Sequence, residues 1–220
     1  MSFVKHAVIA AAGLGSRFGA GLPKCLLQVN RKPLIEYQLK LLKNVEDLRI
    51  VIGFREHEVI ETVLKYRTDV IFVRNPLYRI TSTLASYHLG SSGIFERCLF
   101  MDADILFDPF SFAQFIEYCA EIKVDIIGYT DAKTNDAIYV GISEKKRVLS
   151  FSREHSSKFE WANVCYINPS LLQPDGESVF EQLEKYLPIQ GKHIISYEID
   201  TPSDFEIAKL SNIANHSLYL

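Results

Sequence analysis

An apolar run that opens directly into a glycine-rich loop constrains this chain more than any other stretch: Val8 to Lys24 reads VIAAAGLGSRFGAGLPK. A buried strand ending in such a loop offers backbone N–H groups to a triphosphate, and Arg17 and Lys24 add positive charge on the same segment. Spacing argues against two other nucleotide loops. The dinucleotide pattern G-x-G-x-x-G needs glycine where Phe18 stands, and no acidic residue closes a second strand about 20 residues on, because Glu36 falls in a helical pattern. The Walker pattern fails for want of G-K-[ST]. What remains is G-x-G-S-R followed by P-K, to be weighed against a plain glycine turn carrying two solvated basic residues.

The chain of 220 residues, 48% of them hydrophobic, is long enough for one large core. Its formal charge of -3, with no run of Lys or Arg, argues against a nucleic-acid surface and makes any anion site local. Cys25, Cys98, Cys119 and Cys165 lie far apart with no C-x-x-C pair, the usage of reduced, buried thiols in the cytoplasm. The apolar stretch after Lys5 loosely imitates a secretion signal. It is short, and its glycines lead into the P-K motif, so we read it as a strand; no other uncharged run approaches the roughly 20 residues of a membrane span.

Strand and helix patterns alternate through the first half, the mark of βαβ units. Leu34, Tyr37, Leu41, Leu42 and Val45 recur at helical spacing, Leu48–Phe54 reads as a buried strand, and helices are expected from about His57 to Tyr66 and from about Thr81. Asp108-Pro109 supplies an N-cap and a first-turn proline for a helix through about Ile122. From Lys123 the β patterns shorten, and Thr201-Pro202-Ser203-Asp204 starts a helix expected to run to the C-terminus. The expected fold is α/β: a Rossmann-like, mainly parallel central sheet flanked by helices, with a small mixed or antiparallel β extension forming an acceptor subsite. We expect one domain over 1–220, with a nucleotide-binding half (1–122) and an acceptor-side half (123–220).

A transfer at phosphorus needs a divalent cation, usually held by one or two carboxylates and the phosphates. In Met101-Asp102-Ala103-Asp104-Ile105 an apolar strand ends in acids, where an open α/β sheet keeps its ligand crevice, and strand alternation would put Asp102 and Asp104 on one face. Asp200 closes HIISYEID, with Glu198 on the same face. A solvated acid at the rim describes Glu198 and Asp108 better than Asp104 and Asp200.

AAGLGSR followed by PK, a central DADILF and a late EIDTPSDF resemble, in that order, the bacterial nucleotidyltransferase family of sugar-phosphate and phosphocholine cytidylyltransferases and MobA-like NTP transferases. The resemblance implies that Ala11, Ala12, Gly13, Gly15, Ser16 and Arg17 bind the nucleotide, that Arg17 and Lys24 contact its phosphates, and that Asp104 and Asp200 hold Mg2+. Asp104 also lies against the nucleotide, and Asp102 stands behind it. Arg153 in SFSRE takes the place of a basic residue that contacts the transferred phosphate, with arginine where sugar-activating relatives carry lysine. The reaction implied is in-line attack by an acceptor phosphate oxygen on the α-phosphorus with loss of pyrophosphate, which needs no nucleophilic side chain.

The segment Asn75–Tyr87 resembles the stretch lining the base pocket in cytidylyltransferases. Hydroxyls there, Thr83 and Ser86 among them, would read a pyrimidine edge and favour CTP, while Thr81 serves equally as a helix N-cap. For the acceptor, phosphocholine enzymes place a tryptophan shortly after a T-N-acidic segment, whereas Thr134-Asn135-Asp136 is followed here by Ala137. Trp161 and Asn163, with Tyr129 and Tyr139 near in sequence, are candidates for the acceptor side. The expectation is a cytoplasmic cytidylyltransferase acting on a small phosphorylated alcohol or phosphonate as a precursor of surface polymers. No nucleic-acid or membrane partner is expected, and a homodimer is allowed. A sugar-1-phosphate or molybdenum-cofactor-type nucleotidyltransferase, a catalytically silent nucleotide sensor and an NAD enzyme are the alternatives.

Overall fold

The computed structural model describes residues 4–15, 18–19, 21–133, 137–174 and 176–219. Its first βα units follow the apolar pattern. Strand β1 (His6–Ala10) leads through the glycine loop to a 3-10 turn at Lys24–Leu26, a short hairpin of β2 (Gln28–Val29) and β3 (Lys32–Pro33), and helix α1 (Leu34–Leu41). Strand β4 (Asp47–Ile52), helix α2 (Glu56–Leu64), strand β5 (Val70–Arg74), helix α3 (Thr83–Gly90) and strand β6 (Cys98–Asp102) complete a parallel quartet in the order β5-β4-β1-β6.

Strand β7 (Ile105–Phe107) leaves the main sheet, and helix α4 (Pro109–Ile122) starts on the cap its sequence announces, with Asp108 accepting from the Ser111 N–H. The sheet then grows by β8 (Ile126–Asp131), β9 (Tyr139–Ile142), β10 (Arg147–Ser152), β11 (Phe159–Ile167) and, after helix α5 (Val179–Glu184), β12 (Ile189–His193). The full order is β5-β4-β1-β6-β11-β8-β12-β10-β9, and β11 runs antiparallel to β6. The mixed part thus contributes five of the nine strands and extends the parallel quartet directly.

The stretch HIISYEID is not one strand. β12 ends at His193, and β13 (Ser196–Glu198) pairs antiparallel with β7 in a separate ribbon. Helix α6 (Pro202–Leu210) begins on a capping box between Thr201 and Asp204 and stops at Leu210; two 3-10 turns follow in place of the expected helix to the C-terminus.

Alternation along β1 splits the core into two faces. Ala7 and Ile9 face Ile35, Leu39, Val59, Val63 and Phe115 from α1, α2 and α4, whereas Val8 faces Leu84 and Tyr87 of α3 and the cluster reaching Phe180 of α5. The four cysteines are buried and unpaired within these faces. None of the helices is long and apolar enough to cross a membrane among the described residues.

Helix α3 lies so close to the sheet that a Cβ on Gly90 would sit 2.5 Å from Val8 Cγ1 and 2.8 Å from Val51 Cγ2. Alanine would gain about 1 kcal/mol of helix propensity there, but both valines are buried and stiff at χ1, so overpacking at about 1–3 kcal/mol wins. Gly90→Ala is expected to lower the urea midpoint; an unchanged or raised midpoint would refute this close packing.

Candidate active site

The loop after β1 is hung between its two neighbours. Ala11 N–H donates to Val51 O (2.9 Å), Phe54 N–H to Ala12 O (3.1 Å) and Ala103 N–H to Ala10 O (3.2 Å). The crevice therefore opens at the carboxyl ends of β1, β4 and β6, as an open α/β sheet dictates. Gly15 is left-handed (φ 62°), and a Cβ there would meet Leu22 O at 3.1 Å and Lys24 Cγ at 3.2 Å, so the lysine stem lies against the loop. Ser16 and Arg17 fall outside the described residues.

Asp104 is not on a strand. β6 ends at Asp102, and Ala103-Asp104 form a turn before β7, so the alternation expected to align Asp102 with Asp104 does not apply. The turn is held from below by Gln38, fully buried on α1, whose side-chain N–H groups donate to Asp102 O (2.8 Å) and Ile105 O (3.0 Å). Nothing in the helical spacing of α1 singles Gln38 out. Its polarity on a buried face was the available signal.

Asp200 arrives through the ribbon: β7 pairs with β13, Glu198 opposite Ile105, and Ile199 N–H donates to Asp104 O (3.0 Å). The capping box of α6 then secures the Asp200 backbone N–H, which donates to Asp204 Oδ2 (3.2 Å). Carboxylate oxygens of Asp104, Glu198 and Asp200 lie within 4.8 Å of one another. Glu198, read from sequence as a rim acid, is therefore exposed yet part of the acidic cluster. Asn163 sets its direction, donating from Nδ2 to Glu198 Oε2 (2.7 Å) out of a β-bulge in which Asn163 is left-handed (φ 47°).

Asp102 does a different job. It accepts from the buried Tyr87 hydroxyl at 2.7 Å. Burial, followed by the charge of Asp104, pushes the Asp102 carboxyl up to about 8, against the pull of that hydrogen bond.

Lys24 spans the cluster. Its Nζ donates to Asp104 Oδ2 (2.8 Å) and to Asp200 Oδ1. Burial works against the ammonium, but the charges of Asp104 and Asp200 outweigh it and hold its pKa above the usual lysine value. Asp104 Oδ1 is buried with no hydrogen-bond partner among the described residues. A buried carboxylate oxygen left over in an all-oxygen set suits a hard divalent cation.

Two cavities meet at these acids. One, of about 400 Å³, is lined by Ala11, Ala12, Gly13, Gly15, Lys24 and Asp104, with Asn75, Thr81, Thr83 and Ser86 opposite. The Asn75 side chain, almost fully buried, donates to Thr81 Oγ1 (3.0 Å) and Ser86 Oγ (3.3 Å). Thr81 is not the cap of α3. Ser82 holds that position, and Thr81 donates to Leu77 O instead.

The other cavity, of about 430 Å³, shares Ser82, Thr83, Asp102, Glu198 and Asp200 with the first. Arg153, Trp161, Asn163 and Ala137 line it, while Tyr129 and Tyr139 are buried elsewhere in the sheet. Lys133, Glu160, Phe180 and Tyr197 line it too and were not legible as site residues. Lys133 Nζ stands 5.1 Å from the Tyr197 ring centre and 3.8 Å from Glu160, and the Arg153 guanidinium 5.1 Å from that of Phe180. Thr134-Asn135-Asp136 lies outside the described residues.

Comparison with known proteins gives a consistent picture. The model of the MobA-like NTP transferase domain matches residues 7–193. Choline-phosphate cytidylyltransferase of Streptococcus pneumoniae is 41% identical, over 94% of this chain and 99% of its own. The enzyme of that name from Haemophilus influenzae is 35% identical over 46% of this chain and 44% of its own. Among solved structures, the inositol-1-phosphate CTP transferase from T. maritima superposes with a TM-score of 0.78 over 97% of this chain and 98% of that one, at 18% identity, which establishes the shared fold.

Replacing Gln38 by leucine leaves two buried carbonyls without donors, at about 1–3 kcal/mol each. Gln38→Leu is expected to lower stability to urea by that order; full stability would show that the β6–β7 turn stands without it.

Proposed function

The chain belongs to the MobA-like NTP transferase domain family and is a nucleotidyltransferase, and from that premise we propose that it transfers CMP from CTP to a small phosphorylated alcohol or phosphonate of the phosphocholine type, releasing pyrophosphate. The observation that carries the reading is the junction of the two cavities at the acidic cluster. A nucleotide in the loop-side cavity and an acceptor in the other would present α-phosphorus and attacking oxygen to each other beside Asp104 and Asp200. CTP is favoured because a relative that aligns with 94% of this chain is named a cytidylyltransferase.

In this reading the loop from Ala11 to Arg17 and Lys24 hold the triphosphate, Thr83 and Ser86 face the base, and Arg153 receives the acceptor phosphate. Asp104 and Asp200, with Glu198 beside them, would hold Mg2+, which when bound neutralises charge developing on the phosphates. The protein's own work is positioning: backbone N–H groups with Arg17, Lys24 and Arg153 orient both anions for in-line attack, and the phosphate nucleophile is already ionised near neutral pH. Residues 1–122 supply the nucleotide side and 123–220 the acceptor side, including Asp200, within one catalytic unit.

Pyrophosphate release from CTP with Mg2+ and an acceptor is the direct test. Asp104→Asn and Asp200→Asn are expected to lower kcat by at least about 10²-fold with an unchanged circular dichroism spectrum. Wild-type turnover in either variant would remove the metal assignment.

A second reading of the acceptor rests on the cations already in its cavity, since Lys133 covers the Tyr197 face and Arg153 that of Phe180. These are the aromatic faces a quaternary ammonium would seek, so a phosphorylated polyol or sugar, with no cationic head group, competes as acceptor. Ranking phosphocholine, phosphoethanolamine, aminoethylphosphonate, glycerol phosphate and sugar 1-phosphates by kcat/KM separates the two, with phosphocholine leading if the first holds.

A further inference from the structure

The ammonium of Lys24 stands where a cation shared by Asp104 and Asp200 would stand. It contacts Asp104 Oδ2 at 2.8 Å and Asp200 Oδ1, two of the three residues that form the acidic cluster, and its side chain is only 15% exposed. An ammonium at hydrogen-bond distance from those oxygens and a divalent cation coordinated by them, at about 2.1 Å, repel each other in a partly buried site. Both cannot keep the same two oxygens, Asp104 Oδ2 and Asp200 Oδ1.

Lys24 also has somewhere to go. Its stem runs past Gly15, and the residue lines the loop-side cavity along with Ala11 to Gly13 and Gly15. Rotation about a flexible four-carbon stem carries the ammonium from the acids toward the loop, where a triphosphate would receive it.

We propose that Lys24 is the resident counter-cation of the acidic cluster: it occupies the seat of the divalent cation in the free protein and gives it up when nucleotide draws it onto the phosphates. The inference rests on the metal centre of the proposed function and adds an order to it. Nucleotide favours metal binding by removing Lys24 from the carboxylates, and by reciprocity metal favours nucleotide by the same factor. A lysine that only gripped phosphate would leave metal affinity of the free protein untouched.

The test is Mn2+ binding to the nucleotide-free chain, followed by isothermal calorimetry and by the paramagnetic resonance of free Mn2+. Lys24→Met is expected to bind Mn2+ at least about tenfold more tightly than wild type, within the usual span of site-to-site coupling. Equal or weaker binding by the variant overturns the inference and leaves the metal centre standing. Adding Asp104→Asn to Lys24→Met should abolish the gain; if it does not, the cation lies elsewhere, and the metal centre falls together with the inference. Should Lys24→Met fail to fold, reductive methylation of Lys24 in the wild-type chain decides, read by peptide mass. Labelling should speed up several-fold on adding Mn2+ without nucleotide, and an unchanged rate overturns the proposal.

Discussion

The pairing of β7 with β13 is the contact on which the site depends. Asp104 and Asp200 are far apart in sequence, and each belongs to a segment that has left the main sheet. The hydrogen bond from Ile199 N–H to Asp104 O clasps them side by side, and apolar packing of Leu106 and Ile199 with Leu34, Tyr37, Ala208 and Tyr219 stabilises the clasp from behind. Three nearby carboxylates repel one another, so this ribbon needs a rigid base. Gln38 under the β6–β7 turn and the capping box of α6 supply it at either end.

The acids are held in place by donors from several elements. Lys24 donates to both Asp104 and Asp200, Tyr87 to Asp102, and Asn163 to Glu198. Asp104 and Asp200 thus share one cation, while Asp102 and Glu198 each have a neutral donor of their own. These contacts tie the acidic cluster to the segment after the glycine loop, to α3 and to β11. The two cavities share residues because both open onto this cluster.

Much of this was readable in advance. Apolar runs and their punctuation located β1, β4, β6, α2, α4 and the start of α6 to within a few residues, because buried strands and capped helices are local patterns. Asp104 and Asp200 stood out as acids ending apolar runs. The acceptor side was less legible. Lys133, Glu160, Phe180 and Tyr197 belong to strands, a loop and a helix whose mutual approach depends on β11 entering the sheet next to β6 rather than beside its sequence neighbours. Asn163 owes its role to a bulge that no period predicts. Thr81 looked like a cap and is not, since Asn75 and Leu77 claim its hydroxyl.

By itself the amino-acid order determined the local events: a strand breaking into a glycine loop, acids at strand ends, and helices opening on Asp108 and Thr201. These follow from backbone conformation and hydrophobic period, which act over a few residues. Tertiary structure decided which acids share a centre, which residues line the second cavity, and that Lys24 rests between two carboxylates rather than in solvent. Those outcomes depend on contacts across 80 and 176 positions of chain, and only the closed sheet with its β7–β13 ribbon brings such distant groups within hydrogen-bonding range.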